Sequence, residues 1–416
     1  MHAMKPLLLL ALLLAGVASA QQPAPPTAQA AQVPAASQAA LDALLEGAKA
    51  AQSDALYVLH DGKVLLDHAT AGGRQPVEMM SATKSVVALA IGRLVTTGAL
   101  ASVDEPVHRF YPEWKQGRKQ AITVRMLMDH TSGLQNVPRT DVEIYPAPDF
   151  VRLALAAELD AEPGKTFSYN NNAVNLLAGI VEKASGLKLD AYLQRELFAP
   201  MGIRAGQWTH DKAGNPHAMS GLPLLAADAA KIGELVRNGG QWQGRRLLSA
   251  QFVEQMLAVK APSQSGLLWW PRSSWQRIVA RADAAELLRT SGVSEATRTR
   301  LAPLLARSYS GEMEIGMALA EAFGPDWQAT VAAELARNKV ALGQLFESEA
   351  GPVAMWAAEG YLGQHVIIVP EAKLVVVRQI LEREDFQAAW NYPDILPRVL
   401  DLARTYAPSI PSGPAR

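Results

Sequence analysis

Cysteine is missing from all 416 residues, so disulfides are impossible and thiolate metal sites are absent. Nor is either sign of charge in excess. With 39 basic and 40 acidic residues the formal net charge is −1, which gives no case for nucleic acid or an anionic membrane as partner. No Gly-x-Ser-x-Gly element occurs, which removes the nucleophile turn of an α/β-hydrolase. Gly164-Lys165-Thr166 lacks the earlier glycine of a phosphate loop, that position being Leu159. His210 and His217 are not spaced as helix-borne metal ligands, and Asp211 alone is thin support for them. A solvated loop is expected there, and neither metal nor cofactor is implied.

What remains is apolar. Hydrophobic residues make up 49% of the chain, enough for a large core that needs no cross-links. Lys5, the apolar stretch from Leu7 to Val17 and the small residues Ala18-Ser19-Ala20 read as a cleavable signal peptide over 1–20. That stretch is shorter than the about 20 residues a membrane helix requires. Residues 21–37, rich in Gln, Pro and Ala, read as a flexible tether. The expected location is therefore the periplasm or the exterior, with no membrane insertion after cleavage and a domain over 38–410.

Within that domain a serine-capped amphipathic helix is expected over 38–52. Asp61-Gly62 between Ala55–His60 and Lys63–Asp67 signals a hairpin. A second is expected where Pro370-Glu371-Ala372 separates Gln364–Val369 from Lys373–Val377. A helix over 392–406 closes the chain. Strands at both ends with helices between imply an α+β fold: one antiparallel sheet built from both chain ends, flanked by helices, with an inserted helical lobe. The site is expected in the cleft between sheet and lobe.

Ser81-Ala82-Thr83-Lys84 heads a buried-looking run, Ser85 to Ile91. A hydroxyl and an amine three residues apart share a helix face. In the first helical turn, unpaired N–H groups and the dipole would push the lysine toward its neutral, proton-accepting form. The similar Ser185-Gly186-Leu187-Lys188 follows a helical run, and its glycine reads as a C-cap. Downstream lie Tyr169-Asn170-Asn171 and Gly360-Tyr361-Leu362-Gly363-Gln364. A phenol near a lysine can relay the serine proton, which makes Tyr169 a candidate for general acid–base work.

Ser-x-x-Lys, then Tyr-x-Asn, then a glycine-containing strand motif resembles the serine hydrolase superfamily of class C β-lactamases, DD-peptidases and related esterases. Asp129-His130-Thr131-Ser132-Gly133-Leu134, Pro200-Met201-Gly202-Ile203 and Asn238-Gly239-Gly240-Gln241-Trp242 resemble the class C branch further. The resemblance implies Ser81 as nucleophile, with Lys84 and Tyr169 as proton handlers. It implies Asn171 hydrogen-bonding the substrate carbonyl or orienting Lys84, and the Gln364 backbone N–H pairing with that of Ser81 as an oxyanion hole. Gly363 would let the strand edge approach the acyl group, and Leu362 would narrow the acyl pocket. β-Lactamases open the third motif with a lysine that recognises a carboxylate; Tyr361 stands there instead and counts against β-lactam hydrolysis. His130 is read as a structural turn residue, and Trp269 and Trp270 as walls of pocket or core.

Residues 274–350 depart from that family pattern, with helices expected over Asp283–Leu288, Glu295–Ala306 and Trp327–Leu345. They read either as a lid setting substrate size or as a surface-packed insertion or subunit interface. The implied activity is an acyl-enzyme hydrolase for a small ester or amide, D-amino-acid peptides included. The alternatives are a β-lactamase or cell-wall DD-peptidase, and a non-catalytic scaffold that retains the fold.

Overall fold

The computed structural model describes residues 34–136, 139–309, 312–384 and 395–414. The signal peptide, residues 21–33 of the tether and residues 392–394 of the closing helix lie outside the described residues. Six strands form the main sheet: β1 (Ala55–His60), β2 (Lys63–Ala69), β3 (Trp270–Ser273), β4 (Val353–Gly360), β5 (Gln364–Val369) and β6 (Leu374–Gln379). Their order is β2-β1-β6-β5-β4-β3, every pairing antiparallel. The first hairpin turns at Asp61 and Gly62, with φ of +48° and +75°. Two left-handed residues match the twist of the flanking strands. β1 then pairs with β6 from Ala55↔Gln379 to His60↔Leu374, so the sheet is assembled from both ends of the chain, as expected.

The central strands β5 and β6 are buried on both faces. Alternate side chains point to opposite sides of a strand. Ile367, Val369 and Val376 therefore join Leu41 and Leu44 of α1 (Ala35–Ala50) and Val399 and Leu402 of the C-terminal helix (Ile395–Tyr406). Val366, Ile368, Val375 and Val377 face the larger core of the helical lobe. α1 begins at Ala35, earlier than expected, with Pro34 rather than a serine at its cap. Ser37 is buried in its first turn, and its Oγ accepts a hydrogen bond from Thr405 of the C-terminal helix at 2.8 Å. Packing against that helix sets the start of α1, not a cap. The last three positions of the tether are thus helical.

In the lobe, α2 (Thr83–Thr97) is buried on most of its circumference. α3 (Asn171–Ser185) opens on Asn170, whose side chain caps the Ala173 N–H at 2.9 Å, and ends at Gly186 in the left-handed region. α4 (Ala226–Arg237) lies directly on β1, β5 and β6.

Beyond β3 and β4 the same two chain runs continue as a separate antiparallel pair, Gln276–Ala280 with Phe346–Ala350. It carries helices Ala284–Thr290, Glu295–Leu305, Glu312–Phe323 and Ala333–Arg337. The helix expected over Trp327–Leu345 stops at Arg337, where Asn338 caps it and Lys339 turns with φ +59°. Leu288, Leu301, Leu319, Leu335 and Leu345 form a core of their own. Residues 276–350 therefore bury their apolar faces against one another rather than against the lobe.

Gly233 marks the closest approach of α4 to the sheet. A Cβ there would lie 2.6 Å from Val375 Cγ1, and overpacking of this kind costs about 1–3 kcal/mol. Gly233→Ala should lower the unfolding free energy, and with it the denaturation midpoint, the clash outweighing the about 1 kcal/mol that alanine gains in a helix. An unchanged midpoint in urea unfolding would contradict the packing described.

Candidate active site

Ser81 stands in a 3₁₀ turn, Met80–Ala82, immediately before α2 rather than inside its first turn. Met80 holds φ +48°, a conformation non-glycine residues seldom adopt outside special sites. Lys84, one turn along, donates from Nζ to Ser81 Oγ at 2.9 Å and to the Met219 carbonyl at 2.7 Å. Tyr169 Oη donates to the same Ser81 Oγ at 3.1 Å. Three groups distant in sequence thus meet on one oxygen.

The Lys84 side chain is only 3% exposed. Burial lowers its pKa below the usual lysine range, against a smaller opposing influence from Tyr169. The expected cause was the helix dipole; desolvation of the amine is the larger one. A neutral amine has two N–H donors and one lone pair. Anchoring one N–H on Met219 leaves the lone pair free to take a proton from Ser81, reversing the polarity of that contact. Met219 is held in turn by Asn175 Oδ1, which accepts its N–H at 3.1 Å.

Tyr169 is set by an aromatic stack. His130 lies 4.6 Å from its ring and 6.1 Å from Trp270. Its Nδ1 accepts the Asn170 N–H at 3.2 Å. Burial, with a smaller push from Lys84, takes the His130 pKa down to about 3, so the ring stays neutral. Trp269 is core, donating to the Ser85 carbonyl at 3.3 Å.

A cavity of about 660 Å³ opens over Ser81. Asn171 and Tyr361 line it, Tyr361 with 59% of its surface exposed. Asn171 makes no hydrogen bond to Lys84 among the described residues; Ser81 and Met219 orient that amine. Gly363 and Gln364 are buried and do not line the cavity; they lie where β4 gives way to β5, and both strands pack against the Met80–Ala82 turn. Leu362 is buried and does not line the cavity, contrary to its expected role in narrowing it. Gly363, at φ +84°, is needed from beneath: a Cβ would lie 3.1 Å from the Arg378 guanidinium. The Gln364 side chain exchanges two hydrogen bonds with the Ile380 backbone, pinning the loop.

Thr209, Tyr145, Ser220, Glu78 and Glu382 complete much of the lining, together with Thr140 and Asp141. None of these was singled out from sequence: none carries a motif of its own, and all but Glu78 lie far from Ser81 along the chain. Asn175 was within reach, since it lies one helical turn from Asn171 on the same face. No described residue of 274–350 lines this cavity. His217, expected in a solvated loop, is buried instead: its ring lies 3.8 Å from Phe150 and 5.2 Å from Tyr145, and burial takes its pKa to about 4. His210 pairs with Asp190 at 2.9 Å. No group of three or more His, Asp or Glu side chains able to hold a metal ion occurs among the described residues.

This fold is shared with solved structures such as a penicillin-binding protein homologue from Caulobacter crescentus, at 17% identity and TM-score 0.54 over 88% of this chain and 97% of that one. In sequence the chain is 31% identical to esterase EstB of Burkholderia gladioli over 145 residues, 30% of this chain and 36% of the esterase. It is 26% identical to the 6-aminohexanoate-dimer hydrolase of Paenarthrobacter ureafaciens, over 50% of this chain and 57% of that protein. The chain thus spans 36% and 57% of the length of these two curated relatives. Residues 41–380 match the beta-lactamase family, and the chain belongs to it.

Lys84→Met tests the buried amine through stability. The unfolded chain binds this proton up to the ordinary lysine value of 10.5, whereas the folded protein releases it earlier. Wild-type stability therefore rises with pH between those two points. The variant should match or exceed wild type near pH 6, and its advantage should shrink as pH approaches 10. Denaturant unfolding at both pH values would show it; a variant much less stable near pH 6 would contradict the assignment.

Proposed function

We propose that the protein is a serine hydrolase that acts through an acyl-enzyme on a small ester or amide. The observation that carries this is the Ser81 oxygen, contacted at hydrogen-bond distance by both the Lys84 amine and the Tyr169 phenol. Ser81 attacks the carbonyl while its proton passes to the neutral Lys84 amine, which later restores the proton that the Tyr169 phenol gives up. The tetrahedral oxyanion faces the Ser81 and Gln364 N–H groups, and donors of this kind contribute about 3 kcal/mol each to the transition state. Tyr169 then delivers a proton to the leaving oxygen or nitrogen, and the carbonyl re-forms on Ser81. Water repeats the sequence and frees the acid. Asn171 and Tyr361, both in the cavity lining, hold the substrate.

Support from the relatives is of the same kind, since their names describe an esterase and a 6-aminohexanoate-dimer hydrolase. Export to the periplasm or exterior is part of this proposal and rests on residues 1–20 alone. No helix among the described residues is long and apolar enough to cross a membrane.

Intact-mass spectrometry after treatment with a fluorophosphonate should find one adduct on wild type and none on Ser81→Ala. Tyr169→Phe should retain the adduct at a reduced rate while ester turnover falls about 10²–10⁴-fold, the usual contribution of a positioned proton donor. Labelling that persists in Ser81→Ala would refute the nucleophile.

A further inference from the structure

The chemistry at Ser81 says where a carbonyl must sit; the rest of the cavity says what can be attached to it. Glu78 and Glu382 both line this space, and so does Asp141 at its outer edge. No lysine, arginine or histidine lines it among the described residues. Asp141 already has a partner, the exposed Arg139 at 2.8 Å. Glu78 and Glu382 have none: neither makes an ion pair among the described residues.

Glu78 is three residues before the serine, at the end of the short strand Val77–Glu78. Its Oε1 accepts the Gly221 N–H at 3.0 Å, which holds the carboxyl in place, and its Oε2 has no protein partner among the described residues. Burial raises the Glu78 pKa, and the charge of Glu382 adds to that. Both carboxylates also act, after burial, in the same direction on Tyr145 beside them. Two carboxylates lining one cavity, with no cation of the lining to pair with, favour a cationic group entering it. Lys84 does not meet it, since its amine is committed to Ser81 and Met219.

We infer that the cavity takes an ester or amide bearing an ammonium group, with Glu78 receiving the cation through its free oxygen and Glu382 reinforcing it. The inference deepens the hydrolase reading by naming a substrate class. The site is defined by the serine and its two partners, and the carboxylates select what enters it. The same charges oppose a substrate that carries its own carboxylate, such as a β-lactam.

Two measurements on the intact protein test this. The first compares kcat/KM for p-nitrophenyl esters of equal chain length ending in an ammonium, a methyl or a carboxylate. The ammonium ester should exceed the methyl ester by about tenfold or more and the carboxylate ester should be poorest, as expected for a partly desolvated charge pair. Glu78→Gln and Glu382→Gln should each shrink the ammonium-to-methyl ratio several-fold. The second is calorimetric binding of hexylammonium against hexanoate, which needs no turnover. Hexylammonium should bind at least about tenfold tighter than hexanoate, and Glu78→Gln should weaken it. Ester turnover without a charge preference would overturn the subsite and leave the hydrolase reading standing. Ammonium binding that depends on Glu78 without any turnover would uphold the subsite and sink the hydrolase reading. Equal binding of the two hexyl ligands would overturn the subsite in either case.

Discussion

A lysine amine kept out of water is the constraint around which the rest is arranged. Lys84 sits on a helix that the lobe surrounds, and its two hydrogen bonds run to Ser81 and to the Met219 carbonyl. Charging it there costs desolvation energy, so the fold favours the form that accepts a proton. Nearly everything nearby maintains that condition. Asn175 holds Met219, while Asn170 and His130 hold the start of α3 and the ring of Tyr169. The six-stranded sheet then presses the 361–364 loop toward the turn that carries the serine. Removing the amine relieves a stability cost while destroying the arrangement it serves, a division common at sites kept for chemistry.

Much of this architecture was legible in the sequence because local signals agreed with the global fold. Asp61-Gly62 demanded a left-handed two-residue turn, and the unbroken apolar runs Val366–Val369 and Leu374–Val377 matched strands buried on both faces. Ser81, Lys84 and Tyr169 were legible through spacing and order. The misreadings share a cause. Helix α1 began earlier than its serine suggested because a helix from the far end of the chain packs on it. His217 appeared loop-bound and solvated because Tyr145 and Phe150, which bury it, are about 70 residues away. Leu362 turned inward because its φ of +66° reverses the strand there. In each case a contact distant in sequence outweighed a local preference.

The cavity lining was the least legible part. Glu78, Tyr145, Thr209, Ser220 and Glu382 come from five separate stretches, and none carries a motif of its own. Such residues are where relatives with one catalytic apparatus can differ in what they accept. The 276–350 segment makes the complementary point: it contributes a self-contained core and, among its described residues, none to the cavity.

The pairing of β1 with β6 also bears on how the chain reaches this state. Ala55 meets Gln379 across more than 300 intervening residues, so the sheet cannot close until almost the whole polypeptide is available. Until then β1 and β2 form a lone hairpin, marginal by itself in water. The lobe, whose helices meet through shorter loops, has no such delay. Closure of the sheet is the late and slow event expected of long-range strand pairing. The loop that completes the pocket is carried on its last-arriving strands. Formation of the pocket is thereby tied to completion of the chain.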